Sequence, residues 1–337
     1  MTVLDFRLPD DLEAGAPPPR RDLVRLLVAR PGGIAHAEFA DIGAHLDPGD
    51  LVVVNTSATL AAAVDGVLGA TDVTVHFATE LDDGAWVVEV RPREDATGPL
   101  DGVQRGDRIA LPDGVRLTIE AASPDGQARL WRARIAVEGG VIAYLARVGQ
   151  PIRYSYVPLS HPIADYQTVF SRDPGSAEMP SAGRPFTDAI VTDLVTRGIV
   201  LAPVVLHTGV SSQAAGEPPQ PERFTVPEPT ARLVNLTRAW GNRVIAIGTT
   251  VTRALESAAD GHGVVHARTG WTDLVLTADR PARVVSGLVT GWHEPGASHL
   301  DLLRAVAGES LVRAAYATAL KERYLWHEFG DSCLLLP

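Results

Sequence analysis

The sequence predicts an α/β fold in which a mixed helix–strand domain is interrupted by an inserted antiparallel β-barrel. Three observations point there. Residues 51–54 and 244–247 are continuous apolar runs, the pattern of strands buried on both faces of a parallel sheet. Beyond residue 151, helical and strand patterns alternate. Between residues 62 and about 148 the texture is different, with short alternating runs set off by Asp-Gly turns at roughly ten-residue spacing, as in a small barrel. The expected division is residues 1–62 and 149–337 for the discontinuous α/β part and 63–148 for the insertion. A chain of 337 residues with 45% apolar content is long enough for about two cored domains.

In order, residues 1–55 begin with an entry loop containing Pro17-Pro18-Pro19, followed by a strand over 23–29 and the stronger one at 51–54. The barrel strands are expected at 73–77, 85–90, 108–111 and 115–119, with turns at Asp83-Gly84, Asp101-Gly102, Asp113-Gly114 and Asp125-Gly126. Helices follow at 187–197, 229–240, 251–259, 300–307 and 311–323, with strands at 199–206, 243–247 and 284–290. Residues 213–222, with three prolines, read as a loop.

Composition narrows the class. The single cysteine, Cys333, excludes a disulfide framework and any multi-cysteine metal site. No basic-then-apolar leader opens the sequence and no apolar run approaches the ~18 residues of a membrane span, so a cytoplasmic protein without a membrane partner is expected. The net charge of −11 and the lack of a strongly basic run weigh against broad phosphate binding, which rests on lysine and arginine. Arg129, Arg132 and Arg134 alternate along one strand, the pattern of a solvated face.

The segment most informative about function is Arg243-Val-Ile-Ala-Ile-Gly248-Thr249-Thr250-Val-Thr-Arg253-Ala-Leu-Glu256, followed by Gly270-Trp271-Thr272-Asp. A buried strand that breaks at glycine and opens a helix leaves backbone N–H groups at the carboxyl edge of the sheet. Open α/β sheets hold anionic or nucleoside ligands at that edge. Arg253 and Glu256, three residues apart, project from one side of that helix. The plain structural reading is a strand–turn–helix carrying a surface ion pair.

Taken with the rest of the chain, this segment resembles the S-adenosylmethionine:tRNA ribosyltransferase-isomerase family of queuosine biosynthesis. The resemblance runs through Leu4-Asp5-Phe6-Arg-Leu8-Pro9, Arg21-Asp22, Leu46-Asp-Pro48-Gly49-Asp50 to Asn55, Tyr166-Gln167-Thr168 and Pro180-Ser181-Ala182-Gly183. It continues with Phe186-Thr187, Leu206-His207-Thr-Gly209, the segment above, His293-Glu-Pro295 and Gly330-Asp331. It implies an α/β fold carrying an inserted barrel. It also implies a reaction in which the ribosyl part of S-adenosylmethionine passes to the aminomethyl group of a deazaguanine base in tRNA, while adenine and methionine leave. S-adenosylmethionine is then a co-substrate, and no metal is expected.

That chemistry needs a base for the proton beside the sulfonium, a hold on adenine, an anchor for the methionine end and a placed acceptor amine. His293 and His207 are the candidate bases, because imidazole titrates near neutrality. Asp331 is a candidate for a ribose hydroxyl or the ammonium. Thr249, Thr250 and Arg253 suit a carboxylate or ribose hydroxyl, and Trp271 and Trp292 offer faces for adenine or the sulfonium. Ser181, Gly183, Glu256 and Thr272 complete the candidate donor site. The structural alternative for each histidine is a hydrogen-bonded strand end, and for each tryptophan the core.

The acceptor half departs from the family pattern. Family arginines correspond to Ala58 and Ala63, and the family's Pro-Thr-Ala-Gly-Leu-His-Phe-Thr reads Pro180-Ser181-Ala182-Gly183-Arg184-Pro185-Phe186-Thr187, placing Pro185 at its histidine. The family's histidine and methionine near residues 211–222 are likewise replaced. Bidentate arginine contacts have no equivalent in alanine. The expectation is a changed acceptor, a small molecule in place of tRNA. Two other readings stand beside it: the family reaction on tRNA, and a catalytically silent ligand-binding relative. A cleft blocked by Arg184 or Trp292 would favour the silent relative.

Overall fold

The computed structural model describes residues 6–93, 98–124, 129–154, 156–211 and 220–337. The start of the Leu4–Pro9 motif, the Asp125-Gly126 turn and most of the 213–222 loop lie outside these residues.

Four parallel strands form the centre of a nine-stranded sheet: Val200–Leu206, Leu51–Asn55, Val244–Ile247 and Gly287–Thr290, side by side in that order. Their apolar runs are buried throughout in the latter three, as strands covered on both faces must be. On one flank, Glu222–Val226 and Arg268–Thr272 extend the sheet antiparallel. On the other, Ser332–Leu335 pairs antiparallel with Gly287–Thr290 and parallel with Arg25–Arg30, and Gly33–Glu38 closes the edge. Helices Glu228–Ala239, Thr249–Ala258, His299–Ala307 and Glu309–Lys321 contribute Val234, Leu255, Leu303 and Val312 to the core on one face. Helix Asp188–Thr196, started by the Thr187 hydroxyl accepting from the Ile190 N–H, covers the other face with Ile190 and Leu194.

The insertion is a closed antiparallel barrel of six strands: Ala63–Leu68, Thr71–Glu80, Trp86–Pro92, Arg108–Ala110, Arg116–Ala122 and Leu130–Ile135. Val64, Val73, Val75, Phe77, Val88, Ile109 and Leu117 fill it. Helix Val141–Val148, an element the strand-and-turn pattern of this region does not predict, packs Tyr144 and Leu145 against it. The chain enters and leaves side by side: the Ala63 N–H donates to the Gln150 carbonyl at 2.9 Å and the Gln150 N–H to the Ala63 carbonyl at 2.8 Å. Gly149 makes that approach possible, since a Cβ there would lie 2.0 Å from the Ala61 carbonyl oxygen.

One polar feature of the barrel reaches the α/β part. Glu89 is fully buried, with Arg91 Nε at 2.8 Å and Arg129 at 3.1 Å. Burial alone would raise its pKa, but His76 and the two arginines hold the carboxyl down at about 2. Arg132 and Arg134, by contrast, sit on the solvent side and pair with Glu120 and Asp83, as their alternation suggested.

Candidate active site at the carboxyl edge of the sheet

The parallel strands end together. At their carboxyl edge Asn55 ties three segments: its Oδ1 accepts from the Leu206 and Ser57 N–H groups, both at 3.0 Å, and its Nδ2 donates to the Leu206 carbonyl at 2.8 Å and to Thr250 Oγ1 at 3.3 Å. Gly248 turns the chain from strand to helix at φ 94, a conformation that favours glycine. Thr249 then opens a ten-residue helix whose first N–H groups have no partner in the helix itself.

A cleft of about 630 Å³ lies at this edge, a volume suited to a nucleoside-sized ligand. Thr249 and Thr250 line it together with Ser181, Trp292 and His293. Tyr154, Tyr156, Tyr166 and the barrel's Arg91 also line it. Trp292 is a wall and leaves the cleft open; Arg184 is buried beside it, donating to the Asp165 carbonyl at 3.1 Å with its guanidinium 4.9 Å from the Phe329 ring. Two buried polar atoms of the wall, Tyr154 Oη and Trp292 Nε1, have no hydrogen-bond partner among the described residues.

His293 is fixed at Nε2 by the Thr290 hydroxyl at 3.0 Å, and its ring stacks parallel on His299 at 4.5 Å. Burial, with His299 and His327 nearby, pushes its pKa well below the ordinary imidazole range. It is therefore neutral at physiological pH.

The other sequence-derived candidates lie outside the cleft lining. Arg253 does not reach the ligand space: its guanidinium pairs with Glu222 and donates to the Leu274 carbonyl at 3.1 Å and the Thr272 carbonyl at 3.2 Å. Glu256 is not its surface partner. Its carboxylate accepts the N–H groups of Arg283, Val284 and Val285 at 2.9 to 3.1 Å. Thr272 bonds Ser257 through their hydroxyls at 2.6 Å. Trp271 donates to Asp82 at 3.0 Å under the Arg223 guanidinium, facing a smaller cavity beside the barrel. Asp331 accepts from the Arg25 N–H at 2.7 Å and the Leu325 N–H at 2.8 Å and pairs with the Arg25 guanidinium, joining two chain segments. His207 Nδ1 meets Ser57 Oγ at 2.7 Å and packs against Gly175, where a Cβ would lie 2.5 Å away. Gly183 packs on Thr168.

The structure adds residues that carried no sequence signal. Glu178 lines the cleft and accepts from the Ser211 N–H at 2.6 Å and the Ser211 hydroxyl at 2.5 Å. Burial, reinforced by Glu328 and Glu222, raises its carboxyl to about 7 despite those two hydrogen bonds. Glu328 accepts from the Tyr156 hydroxyl at 2.8 Å, and Tyr156 stacks on His327 at 3.8 Å. Isolated glutamates in loops have no periodicity to betray them. Among the described residues no group of histidine, cysteine and carboxylate side chains has metal-site geometry, and no helix is long and apolar enough to cross a membrane.

Residues 1–335 match a protein family described as queuosine biosynthesis protein. The chain is 32% identical over 352 residues to the S-adenosylmethionine:tRNA ribosyltransferase-isomerase of Pelotomaculum thermopropionicum, covering 100% of this chain and 99% of that protein. It is 34% identical over 355 residues, with the same coverage, to the enzyme of that name from Heliobacterium modesticaldum. It is similar in structure to the crystal structure of S-adenosylmethionine tRNA ribosyltransferase from Thermotoga maritima, with a TM-score of 0.55, 28% identity and 99% of both chains covered.

Proposed function

The chain belongs to the queuosine biosynthesis protein family, and from that membership we propose that it is a transferase–isomerase that takes a ribosyl group from S-adenosylmethionine bound in this cleft. The observation that carries the reading is the convergence of Ser181, Thr249, Thr250, Trp292 and His293 on one cleft at the carboxyl edge of the parallel strands. The N–H groups opening the Thr249 helix suit the carboxylate of the methionine end. Trp292 Nε1 and Tyr154 Oη, without a hydrogen-bond partner among the described residues, could each donate to a ligand, and the aromatic walls suit adenine. His293, neutral and held by Thr290, is placed to take a proton from carbon acidified by the neighbouring sulfonium. Arg253, Glu256 and Thr272 act at one remove, fixing the helix and strands from which the cleft is built.

For the acceptor, the names of the relatives support tRNA. A second reading, a small amine in place of tRNA, rests on Ala58, Ala63 and Pro185, which the sequence resemblance sets against arginines and a histidine of the family, and on a cleft that carries Glu178, Glu294 and Glu328. The decisive experiment incubates the protein with S-adenosylmethionine, with and without tRNA bearing the aminomethyl-deazaguanine base. Release of adenine and methionine with product on the tRNA supports the family reaction, and release with a free amine alone supports the second reading. Calorimetry showing no heat with S-adenosylmethionine would remove the donor and with it the whole proposal.

A further inference from the structure

Glu178 and Glu328 line the cleft, and Glu222 lies behind it, near enough for both to disfavour the charged form of Glu178. Two of the three have a partner that answers their charge or fixes their proton. Glu222 is ion-paired with Arg253, and Glu328 accepts from the Tyr156 phenol at 2.8 Å. Glu178 differs. Its hydrogen-bond partners among the described residues both belong to Ser211, an N–H and a hydroxyl, neither of them charged. The arginines on the barrel side of the cleft, Arg91 and Arg129, are directed at Glu89. Of the histidines in the lining, His293 is held neutral. The cleft therefore presents a carboxyl group that Ser211 orients and that forms no ion pair among the described residues. In a low-dielectric site, an unmatched carboxylate gains most from a ligand that brings the missing positive charge.

We propose that Glu178 is the ammonium-recognition group of this cleft, receiving a primary amine substrate as its cation and removing one proton from it. The proposal rests on the reading of the cleft as the substrate site. The step is balanced: one N–H bond of the ammonium breaks, its electron pair stays on nitrogen as the nucleophilic lone pair, and an O–H bond forms on Glu178. Ammonium and carboxylate become amine and carboxylic acid with no change in total charge. Ser211 holds both carboxyl oxygens, so the group meets the ligand in one orientation, and a neutral carboxyl is a tolerable product in a site that already disfavours the ionised form. The acceptor amine and the amino group at the methionine end of the donor share this chemistry.

Paired titrations of the full chain separate those sources. The aminomethyl-deazaguanine base is compared with its hydroxymethyl counterpart, and S-adenosylmethionine with its deaminated counterpart, in wild type and in E178Q. The wild type should prefer the amine in one pair by at least tenfold, and E178Q should lose that preference while retaining affinity for the uncharged analogue. Loss in the first pair assigns Glu178 to the acceptor, and loss in the second assigns it to the donor. No preference in either pair, or a preference that E178Q keeps, overturns the proposal. Ser211→Ala removes the hydroxyl on Oε2 and keeps the N–H on Oε1, so it should weaken the preference without abolishing it; a loss as complete as in E178Q overturns the proposal. Failure of S-adenosylmethionine to bind would sink the donor reading by itself, and the acceptor pair would still report on Glu178.

Discussion

The first and second turns of the helix Thr249–Ala258 put polar side chains to opposite uses. Thr249 and Thr250 face the cleft with little bonding of their own: Thr250 Oγ1 has one long contact, 3.3 Å from Asn55. Arg253 and Glu256, one turn on, are buried and saturated with protein partners. A short distance along the helix thus separates groups left available to a ligand from groups that hold the wall. Polar residues in one sequence motif need not share a role, and the degree of internal satisfaction tells the roles apart.

The sharpest test of this contrast is Arg253→Ala. It leaves Glu222 without its cation and removes a guanidinium donor from each of two carbonyls, so stability should fall by about 3–5 kcal/mol, measured by urea unfolding. A variant that unfolds like wild type and only loses ligand affinity would place Arg253 in the site instead of the wall. Next, Glu256→Ala strips three backbone N–H groups of their acceptor and should cost about 2–3 kcal/mol, with the same readout. Ahead of both turns, where the strand gives way to the helix, Gly248→Ala forces a side chain into φ 94, with its Cβ 3.3 Å from the Ala182 Cβ. Roughly 1–3 kcal/mol of strain is expected, together with weaker binding of S-adenosylmethionine.

On the cleft side the sign reverses. Glu178 binds its proton more tightly in the folded protein, near 7, than in the unfolded chain, near 4.5. The folded state therefore loses stability as pH rises from about 4.5 to about 7, and below that window the group is neutral in both states. Glu178→Gln removes the loss. The variant should equal wild type at pH 4 and exceed it at pH 8 by about 1–2 kcal/mol, allowing for partial exposure. Thermal unfolding across that range checks it, and a gap that narrows towards pH 8 would refute the assignment.

Much of the fold was legible because its signals are local. Continuous apolar runs marked 51–54 and 244–247, and alternation with Asp-Gly turns marked the barrel. Glu222–Val226 and Arg268–Thr272 escaped notice, since strands at a sheet's flank are half polar and set by pairing partners far away in sequence. The lining of the cleft was legible where a backbone turn creates it, at Gly248 to Thr250, through motif order at Ser181 and His293, and at Trp292 as a large aromatic face. Side chains whose direction depends on distant carbonyls, such as Arg253 and Asp331, cannot be separated from ligand-binding residues without those carbonyls in view. Glu178 was invisible for the opposite reason. It gains its character only when Ser211 and Glu328 are brought around it.

The pairing of Arg25–Arg30 with Ser332–Leu335 has a consequence for how the molecule is made. About 300 residues separate the partners, and at a ribosome's pace of roughly 5–20 residues per second the early strand waits about 15–60 s for its neighbour. Its Leu26, Leu27 and Val28, fully buried at the end, are meanwhile exposed as an apolar edge. The barrel has no such delay, because its six strands are contiguous in the chain and close on themselves before the second half is translated. During synthesis the insertion is thus a finished body tethered to an unfinished sheet, and chaperone engagement should concentrate on the first strands and not on the barrel.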